Sequence, residues 1–439
     1  MPFTFVDLFA GIGGFHGALS AAGGKCVWAS EIDTDAAEIY SKNWGLEPHG
    51  DIRKFTEPKV TDTIPPHDVL AAGFPCQPFS KSGRQLGFRD TTRGTLFFNI
   101  CQILEARKPS VVFLENVRNL AGPRQRDTWT TIVRELRNLG YRVSDRPTVF
   151  SPHLLPPELG GAPQVRERVF IVGVYVGRER AWSESNIDPV VELRPAMDWD
   201  PSLWQVESIL NRDSEIANVE EYRLPKDQSE WINCWDDFVQ SLLEVRSGIP
   251  LPGFPLWADE FKARPRISKE TPSWKADFLR KNSAFYLEHK STIDDWKERW
   301  TSLKDFPASR RKLEWQAQDT GSLWDCVLQF RPSGIRAKRP TYLPALVAIT
   351  QTSIYGPRRR RITPGEAKRL QGLPEWFSFG EQRDAESYKQ LGNGVSVGAA
   401  YYVFRQSLLA SITDVASSSP KLARAIKSSS EKPLLDKHN

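Results

Sequence analysis

Long apolar runs are missing from the 439 residues: nothing approaches the ~18 to 20 uninterrupted apolar residues of a membrane helix. The start, MPFTFVDLFAG, has no basic leader followed by an apolar stretch. A protein that stays in the cytoplasm, without a membrane partner, is expected. Cysteine is scarce as well. The five, Cys26, Cys76, Cys101, Cys234 and Cys326, are odd in number, scattered and without a C-x-x-C pair. That pattern argues against a disulfide framework and a structural zinc site, so no metal is expected and any special cysteine must be reactive. Low-complexity bulk is absent too, and 40% hydrophobic with 26% charged residues excludes the disordered and collagen-like classes. The net charge is only +5, yet Arg331 to Arg361 holds eight Arg or Lys and no Asp or Glu. Such a run suits either a polyanionic partner or a solvated loop whose acids lie nearby in space.

The length, about three times a ~150-residue domain, suits two or three folded units. Over the first ~175 residues short β-rich runs alternate with helix-period segments, the pattern of a doubly wound, mostly parallel α/β sheet. Phe3 to Phe9 reads as a strand, Gly11, Gly13 and Gly14 as the turn after it, and Phe15, Ala18, Leu19 and Ala22 as one helix face. Further strands are expected at Lys25–Ser30, Asp68–Ala72, Val111–Leu114, Tyr141–Phe150 and Val169–Val176, with a helix over Thr95–Arg107. From Arg178 to Tyr355 the alternation stops. This stretch contains eleven of the fifteen tryptophans and reads as a second, irregular lobe, with Trp231, Trp235, Trp296 and Trp300 as packing residues rather than ligand platforms. Thr363-Pro364-Gly365-Glu366 opens a short helix, Leu391–Leu409 returns to α/β core, and the Ser- and Lys-rich segment from Ser411 reads as a mobile tail.

Glycines between a strand and a helix let backbone approach a ligand and expose unsatisfied N–H groups. Glu31 falls twenty residues after Gly11 at the end of the second strand, where an acid accepts both hydroxyls of a ribose. Asp51, before Ile52, suits an adenine amino group or a turn after Gly50. Together these point to an adenosine-containing cofactor. Cys76 sits in GFPCQPFS on a loop after the Asp68–Ala72 strand, stiffened by Pro75 and Pro78. A lone cysteine is often inert and buried, but a rigid strand-end loop makes it a nucleophile candidate. Glu115 ends the Val111–Leu114 strand and brings a carboxylate to the same edge.

Six segments, FVDLFAGIGGF (5–15), GFPCQPFS (73–80), ENV (115–117), QVRER (164–168), RITPGEAKRLQGLP (361–374) and QLGNGVSV (390–397), resemble in order the motifs of the DNA (cytosine-5) methyltransferases. The resemblance spans about the first 176 and last 80 residues. It implies a Rossmann-like catalytic and cofactor domain over 1–177, a target-recognition domain over 178–355, a motif helix and return segment over 356–410, and a tail over 411–439. It further implies that Cys76 attacks C6 of a flipped cytosine, and that C5 then takes a methyl group from S-adenosyl-L-methionine. Glu115 matches the acid at N3 and the exocyclic amine. Arg168, and secondarily Arg166, match arginines near the base O2 and the catalytic loop; surface ion pairing is the alternative for both. Phe9, Gly11, Gly13, Glu31, Ile32, Asp51, Ile52, Pro75, Asn393 and Val395 carry over as cofactor residues, with Ile32 standing where many relatives have an aromatic residue. Gln77, Ser80 and Ser82, with Arg358 and Arg359, are expected to face double-stranded DNA, the two arginines through phosphates. A functional pairing with a restriction endonuclease and action as a monomer complete the expectation. Transfer RNA methylation on the same motifs and a non-catalytic DNA-binding role are the rivals. Exocyclic-amine methyltransferases are disfavoured because a D/N-P-P-Y/F tetrapeptide is missing.

Overall fold

Six residues, FTFVDL, form the strand β1 (Phe3–Leu8), and all but Thr4 are buried. Burial on both faces is what a central strand of a helix-covered sheet requires. The computed structural model describes residues 1–56, 61–75, 96–184, 187–247, 249–346 and 352–435. Its chain forms two compact units, one of Met1–Trp204, Pro344–Ile349 and Ala367–Asn439, the other of Gln205–Leu343 and Thr350–Glu366.

In the first unit β1 is followed by α1 (Gly14–Ala21), β2 (Gly24–Ser30), α2 (Thr34–Trp44), β3 (Val69–Gly73), α3 (Leu96–Arg107), β4 (Val111–Val117) and α4 (Arg126–Asn138). The first four strands pair in the order β2-β1-β3-β4, all parallel. The far edge differs. Strand Arg168–Tyr175 runs antiparallel to β4, and the two short strands Tyr141–Arg142 and Thr148–Phe150 pair antiparallel with it. The continuous strand expected over Tyr141–Phe150 is thus broken around Asp145-Arg146-Pro147, where proline removes a ladder donor. The parallel strands end together: Leu8 lies beside Ser30 and Ala72, and Gly73 beside Glu115. Because the Arg168–Tyr175 strand is antiparallel, its first residue arrives at that same edge, Arg168 opposite Val117.

The turn from β1 into α1 is fixed by packing. Gly13 has φ 93°, and a Cβ there would lie 2.0 Å from Trp44 Nε1, whose N–H donates to Ile12 O at 2.9 Å. Leu391–Leu409 forms two helices, Asp384–Asn393 and Val397–Ala410. The segment from Ser411, expected to be mobile, instead forms the helices Ile412–Ser418 and Pro420–Ser428, with Leu422, Ala423 and Ile426 buried. Ser419 Oγ donates to Asp68 Oδ1 at 2.8 Å, and Lys421 Nζ lies 2.8 Å from Asp68 Oδ2. The expected boundary at Arg178 also moves, since the first unit continues to Trp204.

The second unit is more regular than its sequence suggests. Short strands order as 360–361, 354–355, 327–331, 334–338, 312–316 and 256–257 in one six-stranded sheet, accompanied by helices Lys226–Val245, Ser273–Glu288 and Lys290–Arg299. Trp235 and Trp296 are fully buried in its core, with Trp231 and Trp300 partly buried against it.

Candidate active site

A cavity of about 580 Å³ opens at the shared carboxyl edge of the parallel strands. Its wall contains Phe9, Gly11, Glu31, Ile32, Asp51, Ile52, Pro75 and Asn393 from the expected cofactor set, together with Glu115, Arg166 and Arg168. One opening therefore joins residues expected to hold a cofactor to those expected to hold a base. Glu31 is aimed by backbone: its Oε2 accepts from Gly11 N at 2.7 Å and its Oε1 from Asp33 N at 2.8 Å. Asp51 caps the turn after it and takes the Arg53 side chain, Nη2 to Oδ2 2.6 Å, so the turn role and a place on the cavity wall coexist. Its carboxyl is held below the usual range chiefly by that arginine. Ile32 is 65% exposed at the rim.

Gly13 and Val395 fall outside the cavity wall. Both serve packing: Gly13 lies against Trp44, and Val395 O would meet a Cβ on Gly14 at 2.3 Å. Residues the sequence reading missed include Phe74, Asn116 and Lys389. Asn116 was legible beside Glu115. Its Nδ2 donates to Phe74 O at 2.8 Å while its Oδ1 accepts from Val117 N at 2.9 Å, tying the ends of β3 and β4 together. Lys389 Nζ meets Asp33 Oδ2 at 3.2 Å, a pairing between distant segments that no local pattern shows.

Glu115 is buried, and burial raises its pKa above the ordinary carboxylate value; the Arg168 guanidinium, then Arg166, oppose the rise. Arg168 Nε lies 3.0 Å from Glu115 Oε1. A carboxyl so placed can share or donate a proton to a heterocycle nitrogen, which an ordinary surface carboxylate at neutral pH does poorly. Arg166 lines the same cavity and is also engaged by backbone carbonyls. Its Nη1 donates to Leu346 O at 2.9 Å and its Nη2 to Gly392 O and Gly394 O at 2.8 and 2.6 Å. With only 2% exposure it braces the Asn393 turn from the cavity wall. Cys76, Gln77, Ser80 and Ser82 lie outside the described residues. Arg358 and Arg359 belong to the second unit; Arg358 is engaged with Glu207 and Asp213 and so is not a free cation.

The parallel strand edge, the glycine turn facing an acid at the end of the next strand, and the buried Glu115–Arg168 pair define a Rossmann-like α/β fold with a ligand-sized cavity at its carboxyl edge. The family model described as C-5 cytosine-specific DNA methylase matches residues 3–408. The chain belongs to that family and is a cytosine-5 DNA methyltransferase. Among similar proteins, Type II methyltransferase M.AluI of Cellulosimicrobium cellulans is 46% identical over 92% of this chain and 91% of its own length. Type II methyltransferase M.BanI of Aneurinibacillus aneurinilyticus is 31% identical, covering 90% and 94%. Type II methyltransferase M.HhaI of Haemophilus parahaemolyticus is 45% identical over 38% of this chain and 48% of its own. Among the described residues no helix is long and apolar enough to cross a membrane.

Proposed function

We propose that the chain methylates C5 of a cytosine flipped out of double-stranded DNA, with S-adenosyl-L-methionine as methyl donor and Cys76 as covalent nucleophile. It would do so as a monomer in the cytoplasm, protecting sites that a partner restriction endonuclease cuts. The observation that carries this reading is the single cavity joining Glu31 and Asp51 to Glu115 and Arg168. The donor fits that cavity: Glu31 is oriented by two backbone N–H groups to accept ribose hydroxyls, and Phe9, Asp51, Ile52 and Asn393 line the adenosine side. When bound, the donor supplies an electrophilic methyl group.

The remaining chemistry belongs to the chain. Cys76 thiolate adds to cytosine C6, which breaks the ring's aromaticity and makes C5 nucleophilic. Glu115, its pKa raised by burial, hydrogen-bonds N3 and stabilises the ring as sulfur adds. Arg168 holds Glu115 in place, and Asn116 fixes Phe74, two residues before Cys76. After methyl transfer a base removes the C5 proton and the thiolate leaves. The second unit is assigned to target recognition, because base reading needs a surface apart from the chemistry. Similarity over 92% of the chain supports a shared modification role for that unit.

Duplex DNA carrying 5-fluorocytosine at the target tests the reading, since fluorine cannot leave as a proton does. With the methyl donor present, the wild-type chain should form a denaturant-stable adduct and Cys76→Ala should form none. An adduct or methyl transfer retained by Cys76→Ala would overturn the nucleophile, and methylation of transfer RNA without duplex DNA would overturn the substrate.

A further inference from the structure

Of the four consecutive arginines at 358–361, Arg358 and Arg359 are the two expected to hold phosphates, and the structure divides the run. Arg360 has no exposed side-chain surface; its Nη1 and Nη2 donate to Glu366 Oε2 and Oε1 at 2.9 and 2.8 Å, and its Nε to Asp213 Oδ1 at 2.9 Å. Arg358 donates to Glu207 Oε1 and Asn211 O. Arg361 donates to Gln228 Oε1 at 2.7 Å and Thr352 O at 3.3 Å. Arg359 alone differs. Among the described residues its guanidinium makes no hydrogen bond or ion pair, and its side chain lies over the Trp324 ring, 4.5 Å from the centroid.

Two features show that this placement is built. Arg359 adopts the left-handed conformation, φ 50° and ψ 35°, which a non-glycine residue holds only when its surroundings dictate it. Here they do: Arg359 N donates to Gly356 O and Gly356 N to Cys326 O, each at 2.9 Å, and a Cβ on Gly356 would fall 2.5 Å from Trp324 O. Arg223 Nη1 holds the preceding carbonyl, Arg358 O, at 2.7 Å. The platform is fixed as well, since Trp324 Nε1 donates to Asn233 Oδ1 at 2.9 Å. A pinned turn thus presents one guanidinium whose donors make no hydrogen bond among the described residues, its position set by an oriented ring and by the attraction of the Asp236 carboxylate.

We propose that Arg359 is a specificity-determining residue that reads the O6 and N7 edge of a guanine in the target duplex, while Arg358, Arg360 and Arg361 build the turn and touch no DNA. A cation that only neutralises phosphate needs no platform, because the attraction depends weakly on orientation. A bidentate contact to a base edge needs its donor plane set beforehand, and arginine to guanine is the commonest contact of that kind. This inference rests on the DNA methyltransferase reading above.

The test uses the full chain. The modified site is first mapped as 5-methylcytosine in a host that has none of its own. Wild type, Arg359→Lys and Arg359→Asn, the last tolerating the left-handed turn, are then assayed on the cognate duplex and on duplexes altered one base pair at a time. For Arg359→Asn kcat/KM on the cognate duplex should fall about 5- to 150-fold, with discrimination lost at one G·C pair and an unchanged salt slope, whereas Arg359→Lys, which still donates to guanine O6 and N7, should keep part of the discrimination. Replacing that guanine by 7-deazaguanine should slow wild type and leave Arg359→Asn unaffected. A uniform loss on all sequences with a salt slope reduced by about one, or unaltered discrimination in Arg359→Asn, would each overturn the assignment. A wild-type chain that methylates no duplex would overturn the underlying reading and this assignment with it.

Discussion

Replacing Arg168 by leucine probes the charge balance of the site without reference to turnover. Glu115 and Arg168 are 3.0 Å apart, with side chains only 10% and 17% exposed. Burial pushes the Glu115 carboxyl up, and Arg168 is the stronger of the two cations pulling it back. An opposite charge at this range favours the ionised carboxylate, and removing one partner of a buried ion pair costs about 3 to 5 kcal/mol when the other stays charged. In Arg168→Leu the folded-state pKa therefore climbs further above the unfolded value. A group with a raised folded pKa contributes stability below its unfolded pKa and loses it as pH rises through the folded pKa. The variant should thus differ least from wild type at acid pH, where Glu115 is protonated in both, and fall behind by about 3 to 5 kcal/mol near neutrality. At about 2 to 4 °C per kcal/mol, the neutral-pH gap is several degrees in Tm. Thermal unfolding at a series of pH values reads it directly, and adding Glu115→Gln should abolish its pH dependence. A gap equal at every pH, or one that keeps its slope without Glu115, would refute the account.

Ending the chain after Ala410 should cost several kcal/mol in urea unfolding, because Leu422 and Ile426 are fully buried, each contributing about 1.5 to 3 kcal/mol, and Asp68 loses Ser419 and Lys421; an unchanged unfolding midpoint would count against this. His67 gives a second pH test. Burial lowers its pKa from 6.5 to about 4, its Nδ1 lies 2.8 Å from Pro65 O, and its buried Nε2 has no partner among the described residues. Since the unfolded chain takes up the proton first, stability falls as pH drops from 6.5 to about 4, by at most about 3 kcal/mol from this residue. His67→Asn should flatten that part of the profile, and identical acid limbs for the two proteins would refute it.

The first unit was legible where local pattern and burial coincide. VVFLEN gives six consecutive buried positions in β4, and the glycines after β1 mark a turn whose φ values only glycine adopts readily. Glu31 and Glu115 stood out because a carboxylate at the carboxyl end of a strand is a local signal. Strand direction is not, so the antiparallel edge that delivers Arg168 went unread. The tail was misjudged for a related reason: its Ser and Lys content suggests solvation, yet Leu422, Ala423 and Ile426 form one buried stripe. In the second unit the strands have two to five residues, too few for a period of two to be seen. One pairing there, Leu313–Gln316 with Ile335–Lys338, is parallel and nonlocal.

Arginine availability was the least legible property, and the reason is geometric. Arg166 alternates correctly to face the cavity, but the carbonyls that engage it lie at Leu346, Gly392 and Gly394, far beyond any sequence window. In the run from Arg358 to Arg361, which contains no acid, the neutralising carboxylates are Glu207, Asp213 and Glu366. Two of these come from about 150 positions upstream. A local charge count therefore overstates the free cations of this turn, leaving Arg359 as the arginine of the run whose donors are open to a partner. A field made by several free arginines would act on any polyanion and fade with salt. One oriented guanidinium among neutralised neighbours contributes little to such a field, so its effect belongs in discrimination between base pairs.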